Sequence, residues 1–224
     1  MARAKVEAGF PRRLSDGYKA FFYGRLRHER ERMEKLAATG QKPEIMLIAC
    51  CDSRAAPEVI FDAVPGEIFV VRNVANLVPP HAPDGDYHGT SAALEFAVQA
   101  LKVGHIVVMG HGRCGGIHAF REQHEGVAGD PLSPGDFIGK WMSLIEPATS
   151  DLRCEDVESA AARQRALEEA SIRNSIANLM TFPCVNILVE RGQLRLHGAW
   201  FDIAQGELWV MDEAGGDFVP ALTT

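Results

Sequence analysis

The chain lacks any long uninterrupted apolar run: glycine, proline or charge breaks every hydrophobic stretch within about ten residues, against roughly 20 needed for a membrane-spanning helix. It also lacks a basic excess. Lys and Arg number 23 against 30 Asp and Glu, and the formal charge of −7 argues against nucleic acid or an acidic membrane surface as partner. The opening residues, Met1 to Glu7, hold no apolar core of the kind an export signal needs, so secretion is not expected. Five cysteines are too few and odd in number for a disulfide framework, which favours reduced thiols in the cytoplasm, some available to a metal. Repeats and low-complexity tracts are missing too. With 46% hydrophobic residues, the 224-residue chain reads as one globular domain with a sizeable core.

Two short runs carry the chemistry. Ile45, Met46, Leu47, Ile48 and Ala49 form one, and Ile106, Val107, Val108 and Met109 the other. Both are nearly all apolar and partly β-branched, the pattern of parallel strands buried on both faces. The first leads into Cys50-Cys51-Asp52-Ser53-Arg54 and the second into His111-Gly112-Arg113-Cys114. Open α/β sheets bind ligands beyond the carboxyl ends of their strands, so two neighbouring strands would bring these groups to one rim. A thiolate from the first segment with His111 and Cys114 from the second makes three ligands. Catalytic zinc takes three and keeps a fourth position for water or substrate, whereas structural zinc takes four. Side-chain alternation lets only one of Cys50 and Cys51 face the metal. Asp52 and Arg54, two apart on extended backbone, face the same way and suit a bidentate pair. Gly115-Gly116 and the residues after them read as a tight turn into a helix, whose N-terminus favours thiolates or an anion.

The remaining pattern predicts an α/β fold: a central, mainly parallel sheet flanked by helices, with an N-terminal helical arm and a C-terminal antiparallel edge hairpin. The arm spans 1–40, with a helix at 17–39 that lines up Tyr18, Phe21, Phe22 and Leu26 near one face. A helix at 90–102, with Leu94, Ala97, Val98 and Leu101 at helical spacing, joins strands 68–71 and 106–109 in a βαβ crossover. A helix at 156–181 carries Ile172, Ile176, Leu179 and Met180 on one stripe and leads into a further strand at 185–189. Segments 194–203 and 207–211 alternate around Ala204-Gln205-Gly206 as a hairpin. Residues 79–86 and 126–135 are loops by their glycine and proline content. Cys51, Cys154 and Cys184 are expected to be small packed side chains.

Cys-x-Asp-x-Arg, then Gly66-Glu67-Ile68-Phe69-Val70-Val71-Arg72-Asn73-Val74-Ala75-Asn76, then His-x-x-Cys-Gly-Gly, in that order, resembles a β-class carbonic anhydrase from about residue 41 to 120, and more weakly over 174–185 and 200–211. The segments 70–80 and 89–98 look like the plant-type branch. In the bicarbonate-inhibited bacterial branch a Trp precedes the first Cys by three residues and helps form an anion pocket. Here that position is Leu47, although Arg72, another pocket element, is present; weak inhibition by bicarbonate is therefore expected.

The resemblance implies reversible hydration of CO2 to bicarbonate and a proton by a zinc-bound hydroxide. Its pattern selects Cys50 as the first ligand, so that Cys50, His111 and Cys114 hold Zn2+. It implies that Asp52 orients the hydroxide, that Arg54 keeps Asp52 ionised and off the metal, and that Asp52 becomes a fourth ligand in a closed state. By the same resemblance Gln41 would hydrogen-bond substrate, while Phe69, Val74 and Phe96 would line the CO2 pocket, Phe96 standing where a Tyr is usual. The arm is expected to grip a second copy in a homodimer or larger assembly with a shared pocket. Two alternatives stand beside this reading: hydrolysis of carbon disulfide or carbonyl sulfide on the same site, and a non-catalytic zinc-stabilised scaffold with Asp52 permanently ligated.

Overall fold

The computed structural model describes residues 9–83, 88–127, 137–150, 159–212 and 216–222. It divides into two compact units, Met1–Gln41 and Lys42–Thr224. The first holds two helices, α1 (Arg12–Tyr23) and α2 (Leu26–Thr39), where the sequence predicts one. Gly24 ends α1 at φ −109°, ψ −95°, outside helical space, and a Cβ there would stand 2.8 Å from the Ala20 carbonyl. Of the expected stripe, Tyr18 packs on Phe22, which also meets Tyr23, with ring centroids 5.9 and 5.2 Å apart, while Leu26 begins α2. Neither helix buries a residue, and Leu14, Tyr18 and Tyr23 are each more than half exposed.

The second unit runs β1 (Ile45–Cys50), α3 (Pro57–Ile60), β2 (Ile68–Asn73), α4 (Gly89–Glu95), β3 (His105–His111), α5 (Gly115–His124), α6 (Ile138–Met142), α7 (Glu146–Thr149), α8 (Ala160–Leu179), α9 (Pro183–Glu190), β4 (Arg195–Asp202), β5 (Glu207–Met211) and β6 (Phe218–Pro220). The six strands form one sheet in the order β2-β1-β3-β4-β5-β6. The first four are mutually parallel, and β5 and β6 add on antiparallel. The expected hairpin is therefore present as β4 and β5, but β6 rather than β5 forms the edge. Its three residues end on Pro220, which lacks a ladder donor and is tolerated at an edge.

One face of the sheet supplies Met46, Ile48, Ile106, Val108 and Trp200 to the main core, closed by Leu94, Val98, Ile172, Leu179 and Val185 from the helices. The predicted helix at 90–102 buries Leu94, Ala97 and Val98 as its spacing requires. Its second half, Phe96–Leu101, widens into a π-helical turn that ends at Lys102 in left-handed backbone (φ 59°). The strand expected at 185–189 is instead part of α9. Pro183 at the first helical position fixes the φ a helix needs. Burial then follows helical spacing, since Val185, Leu188 and Val189 face the core while Ile187 is 44% exposed. Alternation would have placed Ile187 beside Val185. Part of both predicted loops (84–86 and 128–135), the start of the 156–181 helix and Cys154 lie outside the described residues.

Candidate metal centre

β1 and β3 are hydrogen-bonded neighbours, so Cys50 at the end of one and His111 at the end of the other arrive on the same rim. Between β3 and α5 the chain makes a tight loop. Gly112 donates its N–H to Phe201 O on β4 (2.9 Å), Arg113 turns through left-handed backbone (φ 58°), and Cys114 becomes the N-cap of α5. This geometry gathers Cys50 Sγ, His111 and Cys114 Sγ, with their ligand atoms within 4.8 Å of one another and all three residues buried. Cys51 lies outside the set and is exposed, because it falls past the end of β1 with its N–H tied to Asn73 O at 2.8 Å. The expectation that Cys51 is packed is thus corrected. Cys184 is half-buried against the main core.

The donor set fits a borderline-soft divalent ion. His111 Nδ1 donates to Gly112 O at 3.0 Å, which leaves the lone pair on Nε2. That Nε2 is buried and has no hydrogen-bond partner. A buried acceptor left unmatched between two thiols is what a metal ligand looks like before its ion is added. The neighbouring Cys114 thiol pulls the Cys50 thiol below its ordinary value, against the cost of burial and with help from His111 and the Asp52 N–H. Cys114 is pushed up in turn by the Cys50 sulfur, burial adding to the effect. Burial opposes charge on His111, but the Cys50 thiolate and the Gly112 carbonyl outweigh it and raise its pKa.

Asp52 and Arg54 pair as predicted. Arg54 donates its backbone N–H and Nε–H to Asp52 Oδ1, both at 2.9 Å, and Nη2 to Oδ2 at 2.6 Å. This fork holds the Asp52 carboxyl well below the usual carboxylate range. The carboxylate still lies beside the metal donors, with Oδ2 3.9 Å from His111 Nε2. Arg54 Nη2 also reaches Arg113 O at 3.2 Å, linking the two ligand loops. Arg72 serves the backbone: Nε donates to Cys50 O at 2.9 Å and Nη2 to Asp52 O at 2.7 Å. Leu47 is packed with Ala49, Met109 and Ala199 in a small cluster on the second face of the sheet.

The matching profile is that of the carbonic anhydrase family, over residues 45–208. The chain belongs to that family, in its β class. It is 38% identical over 216 residues to a carbonic anhydrase of Pseudomonas aeruginosa, covering 94% of this chain and 88% of that one. It is 37% identical to the chloroplastic β carbonic anhydrase 5 of Arabidopsis thaliana over 80% of this chain and 58% of that protein. Among solved structures it resembles the β-carbonic anhydrase CcaA (TM-score 0.78, 29% identity, 94% of this chain and 92% of that). A tetrameric β-carbonic anhydrase of Sordaria macrospora gives a TM-score of 0.75 at 27% identity, over 92% and 97% of the two chains.

The expected pocket residues are not all brought together. Val74, 37% exposed, begins the turn after β2, and its Cγ1 lies 3.2 Å from where a Cβ on Gly116 would stand, next to the metal loop. Phe69 and Phe96 pack on each other with centroids 5.9 Å apart. Phe69 pairs with Met46, four positions before Cys50 and so ~13 Å back along β1. Gln41 belongs to the first unit. The buried support of the ligand loop, Gln164, Glu168 and Trp200, lies outside the motifs. Two long polar residues one helical turn apart within the buried stripe of α8, beside Leu167 and Ser171, were the available signal.

Proposed function

We propose that this chain is a zinc-dependent enzyme that converts CO2 and water reversibly to bicarbonate and a proton, working as a homodimer or larger homo-oligomer. The observation that carries the reading is the buried Cys50, His111 and Cys114 set, with an unpartnered His111 Nε2 beside a carboxylate held by Arg54. Zinc bound there would supply Lewis acidity that brings the pKa of water to roughly 7. Cys50, His111 and Cys114 would hold the ion, the two sulfurs as thiolates that offset its charge. Asp52, kept ionised by Arg54, accepts a hydrogen bond from the attacking water and fixes its orientation. Arg54 would restrain Asp52 from joining the three donors, and release of that fork would free its carboxylate to become a fourth ligand.

CO2 is uncharged with weak acceptor oxygens, so apolar walls and a single donor suit it. Val74 borders the metal loop of its own chain. The separation of Phe69 and Phe96 from Cys50 along the sheet supports a pocket in which these two and Gln41 serve the zinc of a second copy. The tetrameric relative supports assembly, and the exposed apolar face of α1 offers a surface for it. No helix among the described residues is long and apolar enough to cross a membrane. Free Cys50, Cys51, Cys114 and Cys184 suit a reducing, cytoplasmic setting.

The test is stopped-flow CO2 hydration by the zinc-loaded protein from pH 6 to 9, with sulfide release from carbon disulfide and carbonyl sulfide measured in parallel. Rapid hydration with little sulfide is expected. Sulfide release without hydration would reassign the substrate, and neither activity with full zinc would leave a scaffold.

A further inference from the structure

Glu168 is 1% exposed on α8, and three donors from three different elements converge on its carboxylate. Cys114 N–H donates to Oε1 at 3.0 Å, Gln164 Nε2 donates to the same oxygen at 2.9 Å, and Trp200 Nε1 donates to Oε2 at 3.0 Å. None of these partners carries a charge. A buried carboxylate held only by neutral donors is costly. Such a group persists where it does something that an apolar residue cannot.

Its bonds all lead to the metal loop. Cys114 is fixed through its N–H by Glu168 and through its carbonyl by Gln164 Nε2 at 3.3 Å. Gln164 is itself oriented by Arg121 Nε, which donates to its Oε1 at 3.2 Å. Trp200 lies directly under Gly112, where a Cβ would come 3.0 Å from Cζ2, so the indole that donates to Glu168 also backs the peptide that orients His111. Arg165 stacks 4.4 Å over the same indole.

We infer that Glu168 is a positioning residue of the metal centre, setting the Cys114 and His111 donors through hydrogen bonds to the loop that joins them and to the indole beneath it. The inference rests on the zinc reading above. An amide at position 168 cannot replace the carboxylate: three donors need acceptors on both oxygens, and Gln in either orientation turns one of them into a donor facing a donor. A buried negative charge behind the loop also favours the cation in front of it.

The experiment measures zinc affinity by chelator competition on the intact protein, with the near-ultraviolet thiolate-to-metal bands of the Co2+ form as a second readout. Glu168→Gln should bind zinc at least tenfold more weakly and shift the Co2+ bands. Ile172→Val, one turn further along the same helix and wholly core, should lower thermal stability yet keep native zinc affinity and bands. Glu168→Gln with zinc affinity within twofold of native overturns the inference, as does Ile172→Val losing as much as Glu168→Gln. If Glu168→Gln does not fold, Trp200→Phe, which removes the donor on Oε2 and part of the ring beneath Gly112, should lose a few-fold, and native affinity there overturns the inference. Failure of the unmutated protein to bind zinc would instead overturn the zinc reading.

Discussion

Replacing Asp52 by Asn separates holding the metal from using it. The substitution keeps size and one acceptor: with Oδ1 in place, the Arg54 backbone N–H and Nε–H bonds of 2.9 Å survive. The new amide nitrogen then faces Arg54 Nη2, where the carboxylate now accepts at 2.6 Å, and two donors meet. The Arg54 side chain is 50% exposed, so water can take up the displaced guanidinium, and pairs this open contribute little to folding. Cys50, His111 and Cys114 are untouched, so zinc content should stay at one per chain. Catalysis should suffer far more, because a positioned proton acceptor contributes about 10²–10⁴-fold, or about 3–5 kcal/mol of barrier. The pH behaviour gives a second check. The folded pKa of Asp52 lies below its unfolded value, so the pair's stabilisation is complete above an ordinary carboxylate pKa of ~3.9 and is lost only as pH falls through the lower folded value. Asp52 does not titrate near neutrality, and the variant should keep the shape of the native pH profile at a much reduced height. The assays are stopped-flow CO2 hydration with an indicator and elemental analysis. Native turnover at full zinc occupancy would refute the role given to Asp52.

Cys50→Ala should lose both zinc and activity; full zinc in that variant, by elemental analysis, would move the ligand to the exposed Cys51. Ligand loss should also lower the melting temperature, because metal-binding free energy is in part folding free energy. Native activity should rise with pH across neutrality as bound water ionises, and a flat hydration rate from pH 6 to 9 would contradict attack by an ionised water. Deleting residues 1–38 should weaken subunit association and activity together, and a fully active monomer by sedimentation at assay concentration would rule out a shared pocket.

Where the sequence carried a period or a long enough run, its reading holds. β1 and β3 are buried on both faces, and their continuous apolar runs show it without context. The stripe of Leu94, Ala97 and Val98 sets the helix between β2 and β3, though no local signal marks the π-helical turn within it. The strand expected at 185–189 failed for a definite reason: four apolar residues around Asn186 span fewer than two helical turns, so strand and helix give much the same pattern and only Pro183 distinguishes them. β6 is three residues long and exists only because β5 offers it an edge.

The clustering of Cys50, His111 and Cys114 was legible because their chemistry is rare, whereas the burial of Glu168 was not, because its residue type is common. A Glu on a helix usually marks the solvated face, and its burial here depends on Trp200 from β4 and Cys114 from the β3–α5 loop, both brought in only by the tertiary fold. The same holds for Arg72, whose use on the carbonyls of Cys50 and Asp52 follows from the parallel pairing of β2 with β1. These supports share a geometry. The strand ends alone deliver donors to a rim with only approximate aim, and each ligand loop is then fixed from behind by a side chain from another element: Arg72 behind Cys50, Glu168 and Trp200 behind Cys114 and His111. Arg54 crosses between the two loops, from Asp52 to the Arg113 carbonyl. On the proposed reading, a metal site with one position left open would draw its rigidity from these hydrogen bonds behind the three donors rather than from a fourth protein ligand.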